Sequence, residues 1–372
     1  MDVRVLALHR PVPPLGVLRR GLAAGRDWWR AARAVPRETL LDGLPVRYVR
    51  FVAPPRPLAY ETWGRWAAPA VRRALDDLER EWPFDLVHAH YAVPAGAAVV
   101  RWMDRRGRLP LVVSVHGGDL SFHARRPGAW AEAVGTALRA ADAVIANSEV
   151  TRRGIAELAG PLPRVETIHL GADLPAPAAK RAHPTLVTVG HLIARKNQGV
   201  VIRALAALRG RRPDLRYLVI GDGPERASLA ELAQRLGVTD RVEFLGTLPH
   251  EHAMREMARC HVHVLASRDE PFGVAHIEAM GAGLVAIAGA GTGAEDIAGA
   301  GEGIVLVPPG DDTVLAREID RLVGDEGELR RLAGAARATV AAHFSWERNG
   351  ERTAALYRDL LSERQKGDRH GS

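Results

Sequence analysis

The chain has 372 residues, 47% hydrophobic and 26% charged, enough for two soluble domains of ordinary size. The formal net charge of +7 is uneven, because residues 1–170 carry 25 basic and 17 acidic side chains while residues 171–372 carry 26 and 27. No apolar run reaches the roughly 18 residues that cross a bilayer, no basic stripe with interleaved aromatics suits nucleic acid, and a single cysteine, Cys260, excludes an internal disulfide and fits a reducing cytoplasm.

The opening MDVRVLALHRPVPP lacks the charged lead and small-residue cleavage site of a signal peptide and reads as a first strand. Further strands are predicted at 46–52, 84–90, 110–116, 142–148 and 164–170, following one at 3–8. Amphipathic stretches at 66–81 and 127–141 read as helices between them. Segment 21–66 holds Trp28, Trp29, Trp63 and Trp66, read first as core, with an acceptor wall or a membrane-touching surface as alternatives. GADLPAPAAKRAHP (171–184) then breaks the periodicity with three prolines. Strands resume at 185–190, 215–221, 241–246, 260–267, 284–289 and 303–307. Helices follow, ending in SWERNGERTAALYRDLL and a polar tail.

Strands alternating with helices imply parallel sheets with right-handed crossovers, hence two doubly wound α/β domains facing a central cleft. The expected division is 1–172, a linker at 173–184, 185–344, a closing helix at 345–362 packing back toward the first domain, and a disordered tail at 363–372.

SRDEPFGVAHIEAMGAG (267–283) places Glu270 and Glu278 on either side of Pro-Phe-Gly. A strand ending near Ser267 puts Pro271 in a helix's first turn, where its missing N–H costs nothing. Phe272, Gly273 and Val274 then offer backbone N–H groups to an anion. The two acids are too far apart for a glycosidase pair and suit the hydroxyls at opposite ends of an elongated ligand. Of 51 basic residues only Lys180, Lys196 and Lys366 are lysines, and Lys196 alone is expected inside ordered core, where a compact ammonium is useful. GDGPER, with Gly221 and Gly223, and AGAGTGAED both follow strands and can cradle phosphate; the G-x-G-x-x-G of a dinucleotide-binding oxidoreductase is missing after the first strand.

In the first half, VSVHGGDL puts His116 at a strand end before two glycines that let a ligand approach the backbone. HAH puts His88 and His90 on one strand face. With His116 and Asp119 these can be read as a metal site, but the sequence offers no further cluster at ligand spacing, and His90 is better read as lining an acceptor cleft. His261 and His263 in CHVHV read as packing.

The Glu-(seven residues)-Glu pattern in EPFGVAHIEAMGAG resembles the retaining, nucleotide-sugar-dependent glycosyltransferases of family 4, which have the two-Rossmann GT-B fold. FDLVHAHYAVPAG, VSVHGGDL, VIANSEVTRRGI, HLGAD, VGHLIARKN, VIGDGPER, RVEFLG and GIVLVPPGD extend the resemblance over about 84–346, closest to the teichuronic-acid and exopolysaccharide branch. The resemblance implies that Glu278 holds the ribose and Glu270 the donor sugar. The Phe272, Gly273 and Val274 amides would steady sugar and phosphate, and Lys196 with Arg195 would neutralise the diphosphate leaving group. It places Gly221, Gly223, Leu245, Gly246 and Glu295, with the Gly291–Gly293 loop, near the donor. His191 stands where many relatives have Arg. It gives His116 the sugar's outer hydroxyl, and assigns His90, Asp119 and Gly16 to the acceptor side; Gly16 stands alone among prolines where relatives have a glycine pair. No covalent nucleophile, cofactor or metal is implied. The donor is a UDP-sugar in preference to a GDP-sugar. The acceptor is a glycan, a lipid-linked glycan or a small natural product. The location is cytoplasmic, with a basic first half suited to peripheral contact with anionic membrane. A sugar-nucleotide epimerase of the same fold and a non-catalytic partner of a glycosyltransferase complex are the rival readings.

Overall fold

The computed structural model describes residues 1–12, 17, 21–55, 59–106, 108–121 and 128–370, so Gly16 lies outside the described residues. The chain forms two compact units. One comprises residues of Met1–Ala146 and Arg152–Thr167 with the last helix from Ala355; the other comprises Asn147–Thr151 and Ile168–Ala354.

The first half runs β1 (Val5–His9), α1 (Leu22–Ala34), β2 (Glu38–Leu41), β3 (Leu44–Arg50), α2 (Trp63–Glu81), β4 (Val87–His90), α3 (Ala97–Arg106), β5 (Leu111–Val115), α4 (Gly118–Ser121), α5 (Ala129–Arg139), β6 (Ala143–Ala146), α6 (Glu149–Ala159) and β7 (Val165–Thr167). β4-β5-β6-β7 form a parallel sheet, and β1-β3-β2 a second in which β2 runs antiparallel to β3. β2 is absent from the sequence-based expectation. Leu41 pairs with Leu44 across Asp42-Gly43, both at positive φ (48° and 82°), the two-residue hairpin turn that Asp-Gly favours. The tryptophans divide. Trp63 is core and donates its indole N–H to the Pro54 carbonyl at 2.9 Å, whereas Trp29 and Trp66 are exposed.

The second half runs β8 (Thr185–Val189), α7 (Gln198–Ala207), β9 (Arg216–Ile220), α8 (Arg226–Arg235), β10 (Val242–Gly246), α9 (His250–Ala258), β11 (Val262–Leu265), α10 (Val274–Gly281), β12 (Val285–Gly289), α11 (Ala294–Ala300), β13 (Ile304–Val307), α12 (Asp312–Gly324), α13 (Glu326–His343) and α14 (Trp346–His370). Its six strands are all parallel, in the order β10-β9-β8-β11-β12-β13. In chain order that is 3-2-1-4-5-6, the doubly wound Rossmann arrangement. Helices cover such a sheet on both faces, so β12 is buried throughout and reads as an unbroken apolar run rather than an alternation. Asp311 and Asp325 cap α12 and α13 by accepting from the Val314 and Glu328 amides, both at 2.9 Å.

The proline-rich 173–184 segment is part of the second unit, where Lys180 Nζ donates to the Ala258 carbonyl at 2.9 Å, so Lys196 is not the only lysine in ordered structure. α14 continues to His370, through the residues expected to be a disordered tail. Along it Asp359 takes a 3.0 Å contact from Arg164, and the Tyr357 hydroxyl meets His88.

Candidate active site

In a doubly wound sheet, ligands gather beyond the strand carboxyl ends where the strand order reverses. Here the reversal falls between β8 and β11. The loop after β8 carries Arg195 and Lys196, and the loop after β11 carries Ser267 to Gly273.

The two loops are tied together at several points. The Arg268 amide donates to the Arg195 carbonyl at 2.9 Å, and Asn197 Nδ2 to the Ala266 carbonyl at 3.2 Å. Asn197 sits at φ +58°, the left-handed turn that hands the 3₁₀ turn Ala194–Lys196 on to α7. These ties bring Lys196 Nζ onto Glu270 Oε2, an ion pair whose two side chains are only 14% and 10% exposed. Ser267 Oγ donates to the same carboxylate oxygen at 3.3 Å. The pairing was not foreseen from sequence, where the two residues are 74 apart and read as separate grips. Arg195 differs from expectation in part, because its Nη1 donates to the Asp269 carbonyl at 2.6 Å and so supports the loop itself.

The helix after Glu270 begins later than predicted. α10 starts at Val274, and Gly273, at φ +97°, is its N-cap; Pro271 and Phe272 precede the helix. The Phe272 side chain is core, stacked on His169 at 5.5 Å and tilted against Phe344, so only its backbone is available to a ligand. Gly273 must be glycine, since a Cβ there would lie 2.4 Å from His276 Cδ2 at a backbone angle that L side chains avoid. Val274 opens the first turn, where backbone N–H groups lack intrahelical acceptors and the dipole favours negative charge. Glu278, on the same helix, is partly buried, and burial raises its carboxyl above the usual range. His250 Nε2 stands 4.0 Å from it.

The loop after β12 fixes the far side of Glu270. The Gly293 amide donates to the Glu270 carbonyl at 2.8 Å, and a Cβ on Gly293 would lie 2.0 Å from the Pro271 carbonyl oxygen. Gly293→Ala is therefore expected to displace the 270–273 loop and cost about 2–4 kcal/mol, measured by chemical unfolding. Glu295 turns back on its own loop and accepts from the Gly291 amide at 2.8 Å, so it shapes that turn. Ser148 was missed from sequence, yet its Oγ donates to the Pro271 carbonyl. The Glu149 amide donates to Asp296 at 2.8 Å, and His169 Nε2 is 2.9 Å from the same carboxylate oxygen.

The Gly221, Gly223 and Gly246 turns are close-packed backbone. Gly221, at φ +138°, donates its amide to the Gly246 carbonyl at 2.8 Å, and a Cβ on it would lie 2.0 Å from the Gly190 carbonyl oxygen. A Cβ on Gly223 would meet the Leu192 carbonyl oxygen at 2.4 Å. These glycines allow the loops after β8, β9 and β10 to nest, whatever else they touch. His191 is exposed there, and its carbonyl accepts from Gln198 Nε2 at 3.2 Å; Leu245 packs against the core beneath.

Between β11 and α10 the rings of His263, on the strand, and His276, on the helix, are in edge contact at 5.2 Å and fully buried. None of their four ring nitrogens has a hydrogen-bond partner among the described residues. Burial lowers His276 to about 3 and His263 well below its ordinary value, so both are neutral.

In the N-terminal unit, β4 and β5 present a stack of rings. His88 and His90 are 4.4 Å apart, and His90 Nδ1 lies 2.9 Å from His116 Nε2. Burial holds all three down, His88 at about 3 and His116 at about 4, so the row is uncharged at neutral pH. Tyr91, at φ +72°, sets its ring 5.0 Å from His116, a left-handed conformation that sequence reading did not anticipate. Asp119 is buried beneath them, accepting from the Ala92 and His116 amides at 3.0 and 3.4 Å, and burial raises its carboxyl to about 6. It holds the turn that carries His116. Among the described residues no group of three or more His, Cys, Asp or Glu side chains has an arrangement that would hold a metal ion.

Residues 174–339 match the glycosyl transferases group 1 family, and residues 5–175 match glycosyltransferase family 4. A D-inositol 3-phosphate glycosyltransferase of Nocardia farcinica is 30% identical over 75% of the chain and 67% of its own length. The chain belongs to these glycosyltransferases. The 2-deoxystreptamine glucosyltransferase of Streptomyces kanamyceticus is 27% identical to this glycosyltransferase over 97% of the chain and 99% of its own length. The HepE protein of Anabaena, crystallised with UDP-glucose, shares the fold at a TM-score of 0.71 and 21% identity, over 95% of this chain and 99% of that one. The glycosyltransferase therefore has the GT-B architecture of two Rossmann-like domains.

Proposed function

We propose that the enzyme is a retaining family 4 hexosyltransferase that takes a sugar from a nucleotide diphosphate, UDP in preference to GDP, and passes it to a polyhydroxylated acceptor. The Lys196–Glu270 pair at the reversal of the six-stranded sheet carries this reading. In it, a diphosphate entering at the α10 amino terminus replaces the carboxylate as the partner of Lys196, and Arg195 shares that charge. Glu270 is thereby released to accept hydrogen bonds from the sugar. Glu278, one helix face further on, takes the ribose hydroxyls. Charge building on the leaving diphosphate is met by a fixed ammonium and backbone N–H groups, the preorganised arrangement that lowers the barrier most. In the front-face mechanism proposed for the family, the leaving phosphate takes the acceptor proton. No side chain in these loops is then needed as a covalent nucleophile, and charge balance does not require a metal.

His116 and His90 are proposed to face sugar and acceptor hydroxyls, as neutral rings that can both donate and accept, with Asp119 as their support. A small cyclic polyol, of the kind named in the two curated relatives, is favoured over a lipid-linked or teichuronic-type acceptor, because one of those relatives matches over almost the whole chain. The proposed location is cytoplasmic, with any membrane contact peripheral and through the basic N-terminal unit.

Incubation with UDP-glucose or GDP-mannose, with and without 2-deoxystreptamine or an inositol phosphate, tests the assignment by product analysis. A new α-glycoside supports transfer; epimerised nucleotide sugar in the absence of acceptor supports the rival epimerase. Glu278→Ala is expected to raise the donor KM about 10–100-fold with kcat nearly kept, the signature of losing a charge-assisted hydrogen bond equally in ground and transition states. An unchanged KM removes Glu278 from the ribose site.

A further inference from the structure

The amino ends of the same six-stranded sheet carry a second concentration of charge. Thr185, Arg216 and Val242 stand at the start of β8, β9 and β10, and beside them opens a groove of about 1020 Å³. That is at the upper end of the roughly 300–1,000 Å³ typical of small-molecule sites. Lys196 and Glu270 follow the carboxyl ends of β8 and β11, so the two sites lie at opposite ends of the sheet.

Five arginines line the groove, namely Arg181, Arg216, Arg241, Arg255 and Arg259, in a half of the chain whose overall charge is close to zero. The acids among them are already engaged. Glu256 is held by Arg181 at 2.6 Å and by Arg259 at 3.2 Å, and Glu243 by Arg181 at 3.3 Å. Asp240 stands 3.9 Å from Arg241. Two guanidinium groups remain without a carboxylate. Among the described residues, Arg216 donates only to the Pro213 and Leu215 carbonyls, at 3.1 and 3.3 Å, and Arg255, exposed near the end of α9, has no hydrogen-bond or ion partner. An arginine fork matches phosphate oxygens two at a time, and a phosphate monoester carries nearly two negative charges at neutral pH.

We infer that this groove binds a small phosphate monoester, such as a sugar phosphate, at a site separate from the transfer site. Calorimetric titration of the full chain with inorganic phosphate and with glucose 6-phosphate, at low ionic strength, tests it. Three proteins are compared: the wild type, Arg216→Gln/Arg255→Gln, and Lys196→Ala/Glu270→Gln, which removes the central ion pair of the transfer site. The expected result is binding to the wild type, at least tenfold weaker in the arginine variant, and retained in the transfer-site variant. UDP should bind the arginine variant as it binds the wild type. Arg255→Gln alone, on an exposed and unpartnered side chain, keeps the test valid if the double variant folds poorly, with a several-fold loss expected. No binding to the wild type, binding insensitive to both arginine variants, or binding lost only with Lys196 overturns the inference.

Discussion

Lys196→Ala is expected to lower the transfer rate by roughly 10²–10³-fold, the loss typical of removing one preorganised group that stabilises a developing negative charge. It should also destabilise the C-terminal unit by about 3–5 kcal/mol, because it strands the Glu270 carboxylate in a site only 10% exposed. The two effects separate in a double variant. Lys196→Ala/Glu270→Gln removes both charges and should recover most of the stability while remaining inactive. Recovery of activity along with stability would mean that Lys196 serves the fold alone. Steady-state kinetics beside urea unfolding of the wild type, both single variants and the double variant gives the coupling directly.

Acidification supplies the second large effect. His276 is held at about 3, and its neighbour His263 well below its ordinary value, both by burial. Unfolded, each titrates near 6.5. As pH falls below that value the unfolded chain takes up protons that the native C-terminal unit refuses, and His276 alone lowers stability by about 1.4 kcal/mol per pH unit between pH 6 and pH 4. His263 and the partly buried His261 act in the same direction, and Glu278, whose carboxyl burial raises, acts against them. In the N-terminal unit the signs oppose. His88, His90 and His116 act in the same destabilising direction, but Asp119, raised to about 6, keeps a proton in the native state that the unfolded chain has released, and so offsets part of their loss as pH falls. Thermal unfolding followed by circular dichroism from pH 7 to pH 4 should show stability falling steadily. His276→Met removes one titrating ring and its unpartnered nitrogens, and should reduce the slope by about 1.4 kcal/mol per pH unit; an unchanged slope would refute the assignment.

The alternation of apolar runs and helical stretches made both Rossmann-like units legible, because buried parallel strands have few other sequence forms. β2 escaped notice although Asp42-Gly43 marks its turn, since Glu38–Leu41 is too short and too exposed to give a periodic signal. The double glutamate and Lys196 were readable as residue types in a suggestive spacing. That Lys196 is paired with Glu270, that Arg195 braces Asp269 and that Ser148 reaches Pro271 depend on contacts across 74 to 123 residues, which no local pattern encodes. Pro271 and Phe272 fall outside the helix because α10 begins at Val274, three residues after Pro271. The family resemblance sets Asp119 on the acceptor side, while its burial and the amides of Ala92 and His116, which give it a supporting role in the turn, depend on contacts that no local pattern encodes.

A crystal structure of the enzyme with an intact UDP-sugar tests the central claim most directly. The account predicts Lys196 Nζ turned from Glu270 to the diphosphate, the Val274 amide on the same phosphates, and Glu278 within hydrogen-bond reach of both ribose hydroxyls. A nucleotide bound elsewhere, with the Lys196–Glu270 pair still closed, would contradict it.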